Sequence, residues 1–152
     1  MDGSNINNLC AGGGVVWNHF GEIIMAFSSS FGTGNSAGAE AKAMHLGLHL
    51  YTERGLSISS MELDSLFIVN CFNDLWDPPW AIEYILRDCK NLISPNVSIS
   101  HVFREGNGLA DRIAAHGHSC QGIATFYRDS LPSTCFAAYQ ADLLGQPQYR
   151  PP

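Results

Sequence analysis

Apolar and polar positions along this chain repeat with two periods, and the places where the period changes mark its elements. Gly14–Asn18 (G-V-V-W-N) and Glu22–Phe31 (E-I-I-M-A-F-S-S-S-F) read as strands, and the short H-F-G-E break between them suggests a hairpin. Ahead of them, Asn5–Gly14 is polar and glycine-rich and reads as a turn or loop. Thr33–Gly38 is a second polar loop, in which either Asn35 or Ser36 suits the cap of a following helix. That helix spans Ala37–Arg54: Ala39, Ala43, Leu46 and Leu50 form an apolar stripe, Met44, Leu48 and Tyr51 widen it, and Gly55 stops it. Ser57–Asp64 alternates as a strand with Ile58, Ser60, Glu62 and Asp64 on one side, and Ser65–Asn73 reads as a short helix. Pro78-Pro79 breaks the chain and opens a helix over Trp80–Ile93, with Ile82, Ile85, Leu86 and Cys89 facing inward. Val97–Phe103 is a further strand. It leads into a tight turn at Glu105–Gly108 and an amphipathic helix, where Leu109 and Ile113, and Ala110 and Ala114, fall four apart.

The order is hairpin strands, helix, strand, helices, strand, helix. It predicts an α/β domain with a mixed sheet and helices packed on its faces. Beyond His118 the pattern dissolves, apart from a weak helical segment over Ser133–Leu144. The expected organisation is one domain over residues 1–118 and a partly docked or disordered tail over 119–152.

Composition narrows the function classes. Hydrophobic residues make up 45% of the 152 positions, enough for a real core and far from the disordered range. No apolar run reaches the length of a membrane span, so no membrane partner is expected. The five cysteines are odd in number, widely spaced and without C-x-x-C, which argues against disulfides or zinc. They suit a reducing, intracellular compartment, nuclear or cytoplasmic. The net charge of −6 is the wrong sign for gripping phosphate through a basic surface. A nucleic-acid partner therefore needs metal ions or another domain to offset the repulsion.

Four acidic residues stand out: Asp2 in D-G-S, Glu40 in A-E-A-K-A, Asp64 in E-L-D-S and Asp111 in L-A-D. Each has an ordinary reading: a terminal residue, a first-turn acid, a helix cap, and a solvated acid favoured by the helix dipole. Glu40 has small residues at i+3 and i+7, Ala43 and Gly47, which points it toward a crowded site rather than water. In α/β folds, strand ends and helix starts converge on one edge of the sheet. Four acids gathered there repel, and a divalent cation relieves them; oxygen-only ligation selects Mg²⁺ or Mn²⁺ over zinc.

The series D-G-S, G-G-V, A-E-A-K-A, E-L-D-S and H-V-F-R-E-G-N-G-L-A-D resembles the ribonuclease H domains. It is most similar to those of plant retrotransposon-derived proteins, which lie downstream of a reverse transcriptase. The resemblance covers residues 1 to about 118. It implies a five-stranded mixed sheet of order 3-2-1-4-5 and hydrolysis of the RNA strand of RNA–DNA hybrids with two Mg²⁺ ions, Mn²⁺ serving as a substitute. By position, Asp2, Glu40, Asp64 and Asp111 would be the metal-binding carboxylates. Backbone near Gly3 and Gly12–Gly14, including Gly13, would lie beside the RNA, with Ser36 and Ser65 as further sugar or phosphate contacts.

The chain also departs from the family pattern. The family's first strand begins several residues before the D-G-S aspartate, so here that strand is expected to be clipped at its N-terminal end. The histidine of the mobile loop in bacterial members is replaced by R-E-G-N, with Arg104 as the expected substitute and His101 as a neighbour read as structural. The basic protrusion is missing, since Leu75–Lys90 carries only Arg87 and Lys90 as basic residues. Trp76, Trp80, Phe126, Tyr127, Phe136 and Tyr139 are expected to pack on the domain rather than stack on bases. The rival expectation is a catalytically silent remnant that persists as a nucleic-acid-binding or interaction module.

Overall fold

A computed structural model of the chain describes residues 1–18, 20, 22–56, 58, 60–63, 65–101 and 108–143. The elements in chain order are β1 (Asp2–Ile6), β2 (Leu9–Trp17), β3 (Ile23–Thr33), α1 (Ser36–Glu53), β4 (Ser60–Leu63), α2 (Leu66–Phe72), α3 (Trp80–Leu92), β5 (Ser98–His101), α4 (Gly108–His116), β6 (Ile123–Phe126) and α5 (Ser133–Leu143). No helix among the described residues is long and apolar enough to cross a membrane.

The glycine-rich stretch expected to be a loop is instead two strands. β1 turns at Asn7 and Asn8, both with positive φ as a tight right-twisting hairpin requires, and returns as β2 with Asp2 opposite Gly13. Low strand propensity is overridden because β2 is covered by helices on both faces and side chains there would collide with them.

β1, β2 and β3 are successive antiparallel neighbours, and β4 pairs with β5 in parallel. Among the described residues the two groups meet where the Met1 nitrogen donates to the Glu62 carbonyl at 3.0 Å, not through a continuous ladder. The pairings 3-2-1 and 4-5 are therefore present, with no ladder between strands 1 and 4 among the described residues. A sixth strand, β6, adds to the outer edge of β3, with Ala26 opposite Phe126. The segment after His118 thus supplies both β6 and α5.

The sheet separates two cores. One holds Val16, Met25, Phe27, Met44, Leu48, Tyr51, Leu63, Ile68, Ile85 and Cys89, under α1, α2 and α3. The other holds Ile23, Ala26, Leu109, Ile113, Cys135, Ala138 and Tyr139, under α4 and α5. Adjacent residues of β3 divide between them, Met25 and Phe27 to one and Ala26 to the other, as the period of two demands. Asn35, not Ser36, caps α1, its side chain accepting from the Gly38 amide at 2.8 Å. Gly55 ends that helix at φ +65, with the Gly55 and Leu56 amides donating to Thr52 and Tyr51 carbonyls, a paired closure that satisfies two helix-end acceptors. Trp80 departs from the expected packing: it is 85% exposed, whereas Tyr139 is buried.

Candidate active site

Backbone contacts at two glycines set where the acids lie. A Cβ on Gly3 would stand 2.5 Å from the Glu40 nitrogen, so β1 and α1 touch through main chain at that point. A Cβ on Gly13 would stand 2.7 Å from Ile113 Cγ2 and 3.1 Å from the Ala114 nitrogen, so α4 lies directly over β2. Strand alternation then fixes directions. Gly3 faces α1, and its neighbour Asp2, paired across from Gly13, faces α4.

Asp2 is 2% exposed and Glu40 is 9% exposed, the only two acidic side chains among the buried residues described. Asp2 Oδ2 and Glu40 Oε2 are both shut off from solvent. Asp111 lies in the first turn of α4, half-buried, on the face of the sheet that Asp2 addresses. Burying a carboxylate is costly unless it is paired, hydrogen-bonded or bound to a cation, and here two are buried on elements whose backbones touch. The donors are carboxylate oxygens throughout, which suits a hard divalent cation and not zinc. Among the described residues no three acidic, histidine or cysteine side chains form a metal-holding group. Asp64 and Arg104 lie outside those residues.

The remaining candidates have local duties. Gly3 and Gly13 are the contact points of α1 and α4 described above. Ser65 caps α2, accepting from the Ile68 amide at 3.3 Å, so the capping that Asp64 was suited to falls to its neighbour. Ser36 is an exposed first residue of α1. His101 ends β5, opposite Leu63. One neighbour escaped the sequence reading: His118 Nε2 lies 2.9 Å from Ser4 Oγ, on the same face of β1 as Asp2. Their separation of 114 positions holds no spacing signal. On α3, Arg87 pairs with Glu83 at 3.0 Å and Lys90 pairs with Asp74, so both cations of that helix are already engaged by acids.

Comparison with known proteins agrees with this architecture. Residues 1–117 match the family model described as reverse transcriptase-like. A protein of Arabidopsis thaliana named as a candidate ribonuclease H protein is 28% identical over 98% of this chain, and the chain spans 24% of that protein's length. The structure of RNase H1 from the halophilic archaeon Halobacterium salinarum superposes with a TM-score of 0.69 at 24% identity, covering 78% of this chain and 93% of that one. LC11-RNase H1, solved in complex with RNA/DNA hybrid, gives a TM-score of 0.70 at 19% identity over 76% of this chain and 91% of its own. The chain belongs to the reverse transcriptase-like family and has the fold of the ribonuclease H domains.

Proposed function

We propose that this chain is a ribonuclease H-type nuclease that hydrolyses the RNA strand of RNA–DNA hybrids, with Asp2, Glu40, Asp64 and Asp111 holding two Mg²⁺ or Mn²⁺ ions. The observation that carries the reading is the burial of Asp2 and Glu40 on a strand and a helix whose backbones touch at Gly3. Ions so held supply charge at an attacking water and at the leaving 3′-oxygen, the clamp of two-metal phosphodiester hydrolysis. Asp2 and Glu40 contribute ligands whose positions are fixed by packed backbone, which costs little reorganisation when a cation arrives. Asp111 enters from α4, and Asp64 is the residue that follows β4 in sequence. Arg104, which precedes α4 in sequence, is the proposed phosphate-facing cation.

The test is cleavage of a 5′-labelled RNA–DNA hybrid in Mg²⁺, Mn²⁺ or EDTA. Metal-dependent cleavage of the RNA strand, lost in Asp64→Asn and Glu40→Gln variants that remain folded, is the expected result. A second reading, a silent binding module, is favoured by the net charge of −6 and by the acid-paired Arg87 and Lys90. Hybrid retention without cleavage in any metal would establish it instead.

A further inference from the structure

The seam between α1 and α3 carries a cluster of side chains that the nuclease reading does not use. His45 and His49 stand four positions apart on α1, in H-L-G-L-H, so both imidazoles lie on one face of the helix. Their ring centres are 4.6 Å apart, with the ring planes at 89°. From α3, Asp88 brings a carboxylate oxygen to 3.9 Å from His45 Nε2. The nearby cations of α3, Arg87 and Lys90, are engaged by Glu83 and Asp74, which leaves Asp88 facing the imidazoles. Both helices cover the sheet face opposite α4, so the cluster is separate from Asp111.

These spacings are close to those of ligands around one ion. An imidazole nitrogen bound at about 2.0–2.1 Å puts its ring centre roughly 3.2 Å from the metal. Two such rings then stand roughly 4.5 Å apart at a right angle and roughly 5.2 Å apart at the tetrahedral angle. The observed separation lies inside that range. A nitrogen and a carboxylate oxygen sharing an ion stand roughly 3–3.4 Å apart, so Asp88 has to close by less than about 1 Å. Its side chain is 58% exposed and His49 is exposed as well, so both turn between rotamers without disturbing the core. Before that movement, no three such side chains among the described residues stand as a finished metal-holding group. Imidazole with one carboxylate suits borderline ions such as Zn²⁺ and Ni²⁺, whereas Mg²⁺ takes oxygen donors.

We propose that His45, His49 and Asp88 bind one divalent transition-metal ion of the Zn²⁺ and Ni²⁺ class, with water completing its shell. The ion ties α1 to α3 across their seam. The site is independent of the nuclease reading, and it is read by binding rather than by cleavage. Its consequence for the candidate active site is that the helix carrying Glu40 gains a second fixed point.

The experiment titrates the whole 152-residue chain with Ni²⁺ at neutral pH by calorimetry. An excess of Mg²⁺ keeps the acidic residues of the candidate active site occupied. One ion per chain is expected, with Tm rising by about 5 °C at a hundredfold excess over Kd. His45→Gln, His49→Gln and Asp88→Asn are each expected to weaken binding by roughly tenfold or more. His49 is exposed, so its variant keeps the metal-free Tm of the parent and separates lost binding from lost folding. Failure of the parent chain to bind, or full affinity in either histidine variant, overturns the proposal. Full affinity in Asp88→Asn overturns it too, since the ion would then not join the two helices.

Discussion

Around β1 and β2 the helices close on bare backbone, whereas around β4 and β5 they close on large side chains. In the first region Gly3 and Gly13 bring α1 and α4 so near the strands that a single added carbon would collide with main chain. In the second, Leu63, Ile68, Ile85 and Leu86 fill the space between strands and helices and are nearly or fully buried. Asp2, Glu40 and Asp111 sit in the first region, on β1, α1 and α4, where position is set by main-chain contact and leaves little play. The second region is an ordinary aliphatic core, whose stability scales with the volume it buries. One region therefore fails by addition of atoms, the other by their removal.

Four measurements break or sharpen that contrast. The largest effect is expected from Leu63→Ala, which empties a fully buried position beside Asp64 and should lower the unfolding free energy by about 4 kcal/mol in urea titrations. Next, Gly3→Ala forces β1 away from Glu40 and Ala39 backbone and should cost about 3 kcal/mol, although it adds apolar volume. If that variant proved as stable as the parent, the contact account of the first region would be wrong.

A smaller effect concerns the seam between α1 and α3. His45 has its pKa lowered, chiefly by burial, then by neighbouring His49, with Asp88 at 3.9 Å acting in the opposite direction. The fold thus favours neutral His45, and the unfolded chain binds more protons below its ordinary value of 6.5. Stability is complete above that pH and declines as pH falls through it toward the lowered folded value. His45→Gln should flatten the decline in thermal melts between pH 7 and 5, and Asp88→Asn should steepen it.

The smallest change is expected at Gly47. A Cβ there meets the flexible end of Met1, which can swing aside, and alanine improves the helix interior. Gly47→Ala should stay within about 0.5 kcal/mol of the parent. Comparison with Gly3→Ala then separates collision with backbone from collision with a movable side chain.

The helices were legible in the sequence because their signals are local. The stripe from Ala39 to Leu50 and the stop at Gly55 define α1, and the inward set Ile82, Ile85, Leu86 and Cys89 defines α3. The crowding around Glu40 was also visible, in the small residues Ala43 and Gly47. What escaped detection depends on distant partners. β1 and the start of β2 look like a loop until α1 and α4 are laid over them, and β6 is a four-residue run whose partner lies on β3. The exposure of Trp80 was hidden for a similar reason, since nothing local says whether a neighbouring element will cover an aromatic ring. Asp64 and Arg104 were singled out by motif alone, and they lie outside the described residues.

The late addition of β6 has a consequence in time. While the chain is being made, β3 emerges with its outer edge bare, and β6 follows only about 90 residues later. At roughly 5–20 residues per second, that edge waits on the order of 5–20 s before it is covered. During that interval Ala26–Ser29 offers a template to any other extended chain nearby, including a second nascent copy. The strand that ends the wait is four residues long, and until it pairs the outer edge of β3 stays open to such partners.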